Sequence, residues 1–177
     1  DTKVSETEVK SSEREEVTVI VRFIVNDLMQ RRPDLNTVRT ASQKNTDRVL
    51  KDLAGENLAE LQQQDPEIGP IVKLRLERKE RPSIDELQLA SESTKILWNQ
   101  WYRLVVHDGV VYRILFKSNG EPSQLQLLTP RVLREKVITE SDGGMTGGHM
   151  GVAKTCDQVQ RRAYWLGWRM DTVRFCK

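Results

Sequence analysis

The sequence predicts an α+β protein: short helices and a three-stranded antiparallel meander, followed by a small three-helix module, behind a disordered N-terminus. Three observations carry that reading. Asp108-Gly109 sits between β-branched runs at 103–107 and 110–116, the strongest short-range signal for a hairpin. Apolar residues recur at helical spacing before it, through 45–64, 66–80 and 92–102. After it, Thr129-Pro130 and a glycine-rich loop punctuate further helical segments up to Lys177.

Residues 1–16 are Ser, Thr, Glu and Lys with almost nothing to bury, so they are expected to be disordered. Residues 17–25 are β-branched enough for a strand, yet no turn or partner strand follows. Residues 31–45 read as linker. Residues 45–64 place Val49, Leu50, Leu53, Leu58 and Leu61 at helical spacing, interrupted by Gly55. Asp65 is then an N-cap, with Pro66 at the first helical position and Glu67 in the first turn. Ile68, Ile71, Val72, Leu74 and Leu76 fall roughly on one side of that helix, and it ends before Arg81-Pro82.

Ser91 caps the next helix, whose stripe of Ile96, Leu97, Trp98, Trp101 and Tyr102 must bury a large area. A core-facing stripe is the ordinary reading, and a base-stacking platform is the alternative. The hairpin follows, then a turn at 117–122 containing Asn119-Gly120, then a strand at 123–128. His107, beside the hairpin turn, reads as an exposed residue rather than a ligand. Thr129 is an N-cap with Pro130 at the first helical position, and Val132, Leu133, Val137 and Ile138 give the buried face. A second helix spans 152–164, with Val152, Cys156, Val159 and Ala163 on one stripe, and Met170, Val173 and Phe175 suggest a third. This divides the chain into 1–45 (disordered or linker), 46–128 (helical plus hairpin extension) and 129–177 (helical module).

Composition narrows the function. Of 177 residues, 31% are charged and 37% apolar, and the net charge is only +2. Residues 130–177 carry nine Lys/Arg against five Asp/Glu, a balance compatible with nucleic acid. The longest apolar run, 17–25, is far below the roughly 18 residues a membrane span needs. The chain starts at Asp1 rather than Met and reads as part of a longer protein. Two cysteines, Cys156 and Cys176, cannot make a disulfide framework for a chain of this size, so an intracellular compartment is expected. No Gly-rich phosphate loop and no Ser-His-Asp set is present. Asp85, Glu86 and Asp108 fall on different elements, without the convergence that two-metal phosphoryl transfer needs.

The stretches Val105-Val106-His107-Asp108-Gly109-Val110-Val111-Tyr112-Arg113, Leu127-Leu128-Thr129-Pro130, Thr146-Gly147-Gly148-His149-Met150-Gly151 and Ala163-Tyr164-Trp165-Leu166-Gly167-Trp168 occur in that order. Together they resemble the integrase region of gypsy-class retrotransposon polyproteins, from about Leu58 to Lys177. The resemblance implies a hairpin-bearing extension followed by a three-helix HHCC zinc-binding module. It also implies that the catalytic core lies past Lys177, so that this chain is not itself an enzyme. Its partners would then be DNA, as the element's ends, and other integrase protomers, with the nucleus as the site of integration.

In the family's common spacing its second histidine falls on His149 and its first on Asp142, while a gapped alignment puts the first on Ser141, which is no ligand. Aspartate is a possible zinc ligand. The family's cysteine pair falls just past Lys177, and Cys176 matches a neighbouring cysteine that is not a usual ligand. The 177 residues are therefore expected not to hold zinc tightly, with Cys156 a small apolar residue instead. Lys154, Arg161, Arg162, Arg169 and Arg174 are the candidate nucleic-acid contacts. The alternative function is a degenerate or domesticated relic, a protein-binding helix bundle without metal.

Overall fold

The computed structural model describes residues 57–143 and 151–177. The expectations for 1–45, including the strand at 17–25, and for the first part of the 45–64 helix lie outside those residues. Its described part is α1 (Leu58–Gln64), which buries Leu58 and Gln62. Asp65 then stops the helix with an extended backbone. Its Oδ1 accepts the N–H groups of Glu67 at 2.8 Å and Ile68 at 2.9 Å, the capping role its sequence position implies. The α-helix it precedes, α2 (Gly69–Glu77), starts later than Pro66. Gly69 is required where α1 and α2 meet: a Cβ there would lie 2.6 Å from the Gln63 carbonyl oxygen.

Ser83 and Glu86 form a reciprocal capping box around a 3-10 turn, Ile84–Leu87, which no apolar periodicity announced. In α3 (Glu92–Asn99), Ser91 Oγ accepts the Thr94 N–H at 3.2 Å, as expected. Trp101 and Tyr102 leave the α-helix for a 3-10 turn, Trp101–Arg103, that feeds the sheet.

Strands β1 (Leu104–His107) and β2 (Val110–Phe116) pair antiparallel across Asp108 and Gly109. Both turn residues have positive φ, 50° and 75°, the geometry whose twist matches the flanking strands. β3 (Pro122–Leu128) pairs with β2 in the register Tyr112–Leu127. The expected three-stranded meander is in fact a four-stranded sheet, ordered β1-β2-β3-β4.

The added strand β4 (Ala163–Tyr164) lies parallel to β3, with Ala163 opposite Leu127 and Tyr164 opposite Leu128. These are residues expected to end the second module helix. They leave it because the open edge of β3 satisfies their backbone, and the Tyr164 carbonyl also accepts the Thr129 N–H at 3.0 Å.

The module begins with a 3-10 turn, Arg131–Leu133, and continues as α4 (Arg134–Ser141). Thr129 is not its N-cap. The Thr129 hydroxyl donates back to the Leu127 carbonyl at 3.0 Å, and Pro130 occupies the cap position. The Arg131 N–H is taken instead by Oδ2 of Asp65 at 2.5 Å. α5 (Val152–Arg162) and α6 (Trp168–Phe175) follow, separated by fully buried Trp165 and by Gly167 at φ 83°. Among its described residues the module thus holds three α-helices, plus a 3-10 turn and a strand that the three-helix expectation lacked.

The core sits on one side of the sheet, where Leu104, Val111 and Leu128 meet Ile68, Ile71, Val72, Leu97 and Trp101. All described residues belong to one compact unit, Val38–Lys177. Among them, no helix is long and apolar enough to cross a membrane.

Two polar side chains of the 58–68 segment join these pieces. Gln62 is fully buried. Its Oε1 accepts the Val111 N–H at 2.8 Å, while its Nε2 donates to the carbonyls of Val111 at 2.9 Å and Leu128 at 2.6 Å. Val111 and Leu128 are the next pair in the β2–β3 register, so the amide is wedged where the ladder opens. Asp65, also buried, spans α2 and the start of the module. We expect Gln62→Leu, which keeps the volume and strands three backbone groups, to lose about 3 kcal/mol of unfolding free energy in urea. Asp65→Ala should lose about 2–4 kcal/mol, for a lost cap plus a buried donor left unpaired. A loss below about 0.5 kcal/mol in both, the range of ordinary surface substitutions, would contradict the clamp.

Candidate metal centre and nucleic-acid interface

His149 lies outside the described residues, with Gly147, Gly148 and Met150. Asp142, the other candidate ligand, follows the last turn of α4 and is half-buried. Its Oδ1 accepts the hydroxyl proton of Thr155 at 2.7 Å. Thr155 is fully buried in the first turn of α5, so this bond ties the end of α4 to the start of α5.

Both cysteines are free thiols. Cys156 lines a cleft of about 370 Å³ between α5 and α6, with Val152, Trp168, Arg169 and Val173. Burial pushes its thiol pKa up, nearby Arg169 opposes that shift, and Cys176 adds to it. Cys176 sits at the C-cap of α6. A structural zinc site needs four tetrahedral ligands. Among the described residues, no three of His, Cys, Asp or Glu come together. Among the described donors, Asp142 Oδ1 accepts from Thr155 and Cys156 faces the α5–α6 cleft.

The five cationic candidates do not share one face. Lys154 and Arg161 are seven positions apart on α5, hence on one side of it, and both are exposed. Arg161 is occupied by Asp157 at 2.9 Å. Arg162 turns another way and is half-buried; desolvation lowers its pKa and Glu140 of α4 counters that. Arg169 lines the α5–α6 cleft, and Arg174 is exposed further along α6.

A second set of cations went unread in the sequence, because each is defined by a distant ring. Arg75 lies 5.4 Å from the ring centroid of Trp101. Arg81 lies 4.2 Å from that of Trp98 and 5.7 Å from that of Tyr102. Arg103 lies 5.5 Å from Phe116, Arg113 4.1 Å from Tyr164 and Arg134 5.8 Å from Trp165. The base-stacking alternative for the Trp98–Tyr102 stripe meets a direct obstacle here. Trp101 is 1% exposed, and Arg81 covers the other two rings.

Arg113 is the most enclosed of these. Its Nε donates to Gln100 Oε1 at 2.6 Å and its Nη1 to Gln126 Oε1, while Gln100 Nε2 donates to the Tyr164 hydroxyl at 3.0 Å. Burial works against its charge, and Arg103 nearby adds to that effect. Neutral amides and a ring face balance it, so β4 is held to β2 by chemistry that no short motif displays.

Two predictions follow from this geometry. A raised thiol pKa leaves less thiolate at neutral pH, so Cys156 should alkylate more slowly than a free cysteine and recover as pH rises. Peptide mapping after iodoacetamide treatment at several pH values reads this, and equal rates at neutral pH would contradict it. Treatment of the chain with a chelator should leave its far-ultraviolet circular dichroism unchanged. Helicity lost to chelator and restored by zinc would mean that a site is completed by residues outside the described ones.

With that geometry in place, the comparisons bear on one part of the chain. Residues 129–177 match the family model of the integrase zinc binding domain. No curated protein and no solved structure matches the chain. The matched segment, from Thr129 onward, is built of α4, α5, β4 and α6.

Proposed function

We propose that this chain is a non-catalytic fragment of a retroelement integrase, of the gypsy class, that assembles integrase protomers and contacts DNA during integration. The observation that carries the reading is the match over 129–177, on helices locked to the preceding extension by Asp65 and β4. A rigid joint suits an assembly role, since it fixes how a helical surface is presented to a partner. The strand-transfer chemistry belongs to another part of the parent polyprotein, and its place of action is the nucleus. The partners are the element's DNA ends and further copies of the integrase. Zinc is the metal of the full family module, and these residues alone hold it weakly.

The DNA contact in this reading comes from Lys154, Arg169 and Arg174, which make no ion pair among the described residues, with Arg161 and Arg162 in support. Contacts of this kind are to phosphate and therefore weaken with salt. Fluorescence anisotropy with a labelled duplex should show binding at low salt that falls steeply as salt rises. Replacing Lys154, Arg169 and Arg174 together by Gln should flatten the dependence of log K on log salt by about 2–3. No binding by the parent chain even at the lowest salt would overturn the reading.

A further inference from the structure

Apolar side chains line the cleft between α5 and α6 and continue past its rim. Val152 and Ala153 line it from α5, and Trp168 and Val173 from α6. The first two are exposed and the other two half-buried. Met170 precedes Val173 by three positions on α6, so the two are neighbours on the helix surface. Met170 is 63% exposed. The cleft, about 370 Å³, is larger than a methionine side chain. Methionine and arginine are enriched where protein surfaces meet, and a flexible thioether fits openings of irregular shape.

Two charged residues decide what such a cleft can receive. Asp157 of α5 and Arg169 of α6 both line it, and both are exposed. Among the described residues, Arg169 makes no ion pair. Asp157 gives Oδ2 to Arg161, with both side chains more than half exposed. A pair of that kind contributes little and leaves Oδ1 open to a second guanidinium.

A phosphate entering the cleft would meet the Asp157 carboxylate, and a partner of one sign would match only one of the two charges. A second copy of this chain matches both. In a two-fold contact every pairing occurs twice, so the partner's Arg169 meets Asp157 while its Asp157 meets Arg169. The same rotation carries each exposed Met170, beside the rim of its own cleft, toward the cleft of the other copy.

We propose that the α5–α6 cleft is a self-association surface, in which two copies of this chain exchange Met170 side chains and pair Arg169 with Asp157. The surface rests on the assembly reading above and gives that role to one face. Arg169 then serves the partner copy, and Lys154 and Arg174 stay free for DNA.

Sedimentation velocity of the full chain, run across a concentration series, reads the association. Met170→Glu changes an exposed residue and should raise the dissociation constant about tenfold, with an unchanged melting temperature. Asp157→Arg and Arg169→Asp, each alone, set like charges against each other twice and should also weaken association about tenfold. An equimolar mixture of these two variants should associate as tightly as the parent chain, because each mixed pair again sets opposite charges together at both places. Single variants that the mixture does not rescue would overturn the two-fold pairing and the proposal with it. Association of the parent chain that none of these substitutions changes would overturn this surface and leave assembly to another face. A parent chain that stays monomeric at every concentration would remove the assembly reading together with the surface, while duplex binding, read by anisotropy, stands or falls separately.

Discussion

The carboxylate of Asp65 sits where two stretches of chain, distant in sequence, begin their turns, and one buried anion satisfies both. Oδ1 takes the N–H groups of Glu67 and Ile68, and Oδ2 takes that of Arg131. All three donors are backbone groups at the starts of helical turns, where the partial positive charge of unpaired amides favours an anion. Arg134 reinforces the joint through Glu67 at 2.7 Å, with both side chains largely covered. Gln62 does the complementary work one turn earlier, filling the place where Val111 and Leu128 would otherwise face unpaired. Because these bonds are buried, water cannot replace them when one partner is lost, and the cost of failure is larger than the gain from success.

This joint decides what the 129–177 segment is physically. Its residues do not hang from the extension by a linker. β4 completes the extension's sheet, Arg113 of β2 stacks under Tyr164 of β4, and Gln126 of β3 donates to the Gln160 carbonyl of α5. A helical module too small to bury its own face gains a sheet to rest on, and the sheet gains cover for β3. The bond between Asp142 and Thr155 belongs to the same pattern. Asp142, a candidate ligand by resemblance, is a carboxylate used to tie one helix to the next.

Local chemistry made much of this legible in the sequence. Asp108-Gly109 dictates its turn, Ser91 its helix start, and Asp65 its cap, because each acts on residues within a few positions. The features that were not legible are all long-range. Nothing near Ala163-Tyr164 says that β3 has a free edge, and a helix stripe continues through them on periodicity alone. Thr129-Pro130 reads as a cap, yet the proton it would accept is claimed by a carboxylate 66 positions away. The ring contacts of the extension's arginines are of this kind, since the rings come from α3, the 3-10 turn after it, β2 and β4. Of the two candidate ligands, Asp142 and His149, only the first lies among the described residues, where it serves as a hydrogen-bond acceptor.

The account stands on the extension and the module being one cooperative unit joined through Asp65 and β4. Native-state amide hydrogen exchange tests that directly, read at the Val111 and Arg131 N–H groups and along α5 and α6. The account predicts that the slowest amides of the module open with the same free energy as Val111, equal to the global unfolding value from denaturant. Module amides, Arg131 among them, that exchange through a lower-energy opening while Val111 stays protected would contradict it.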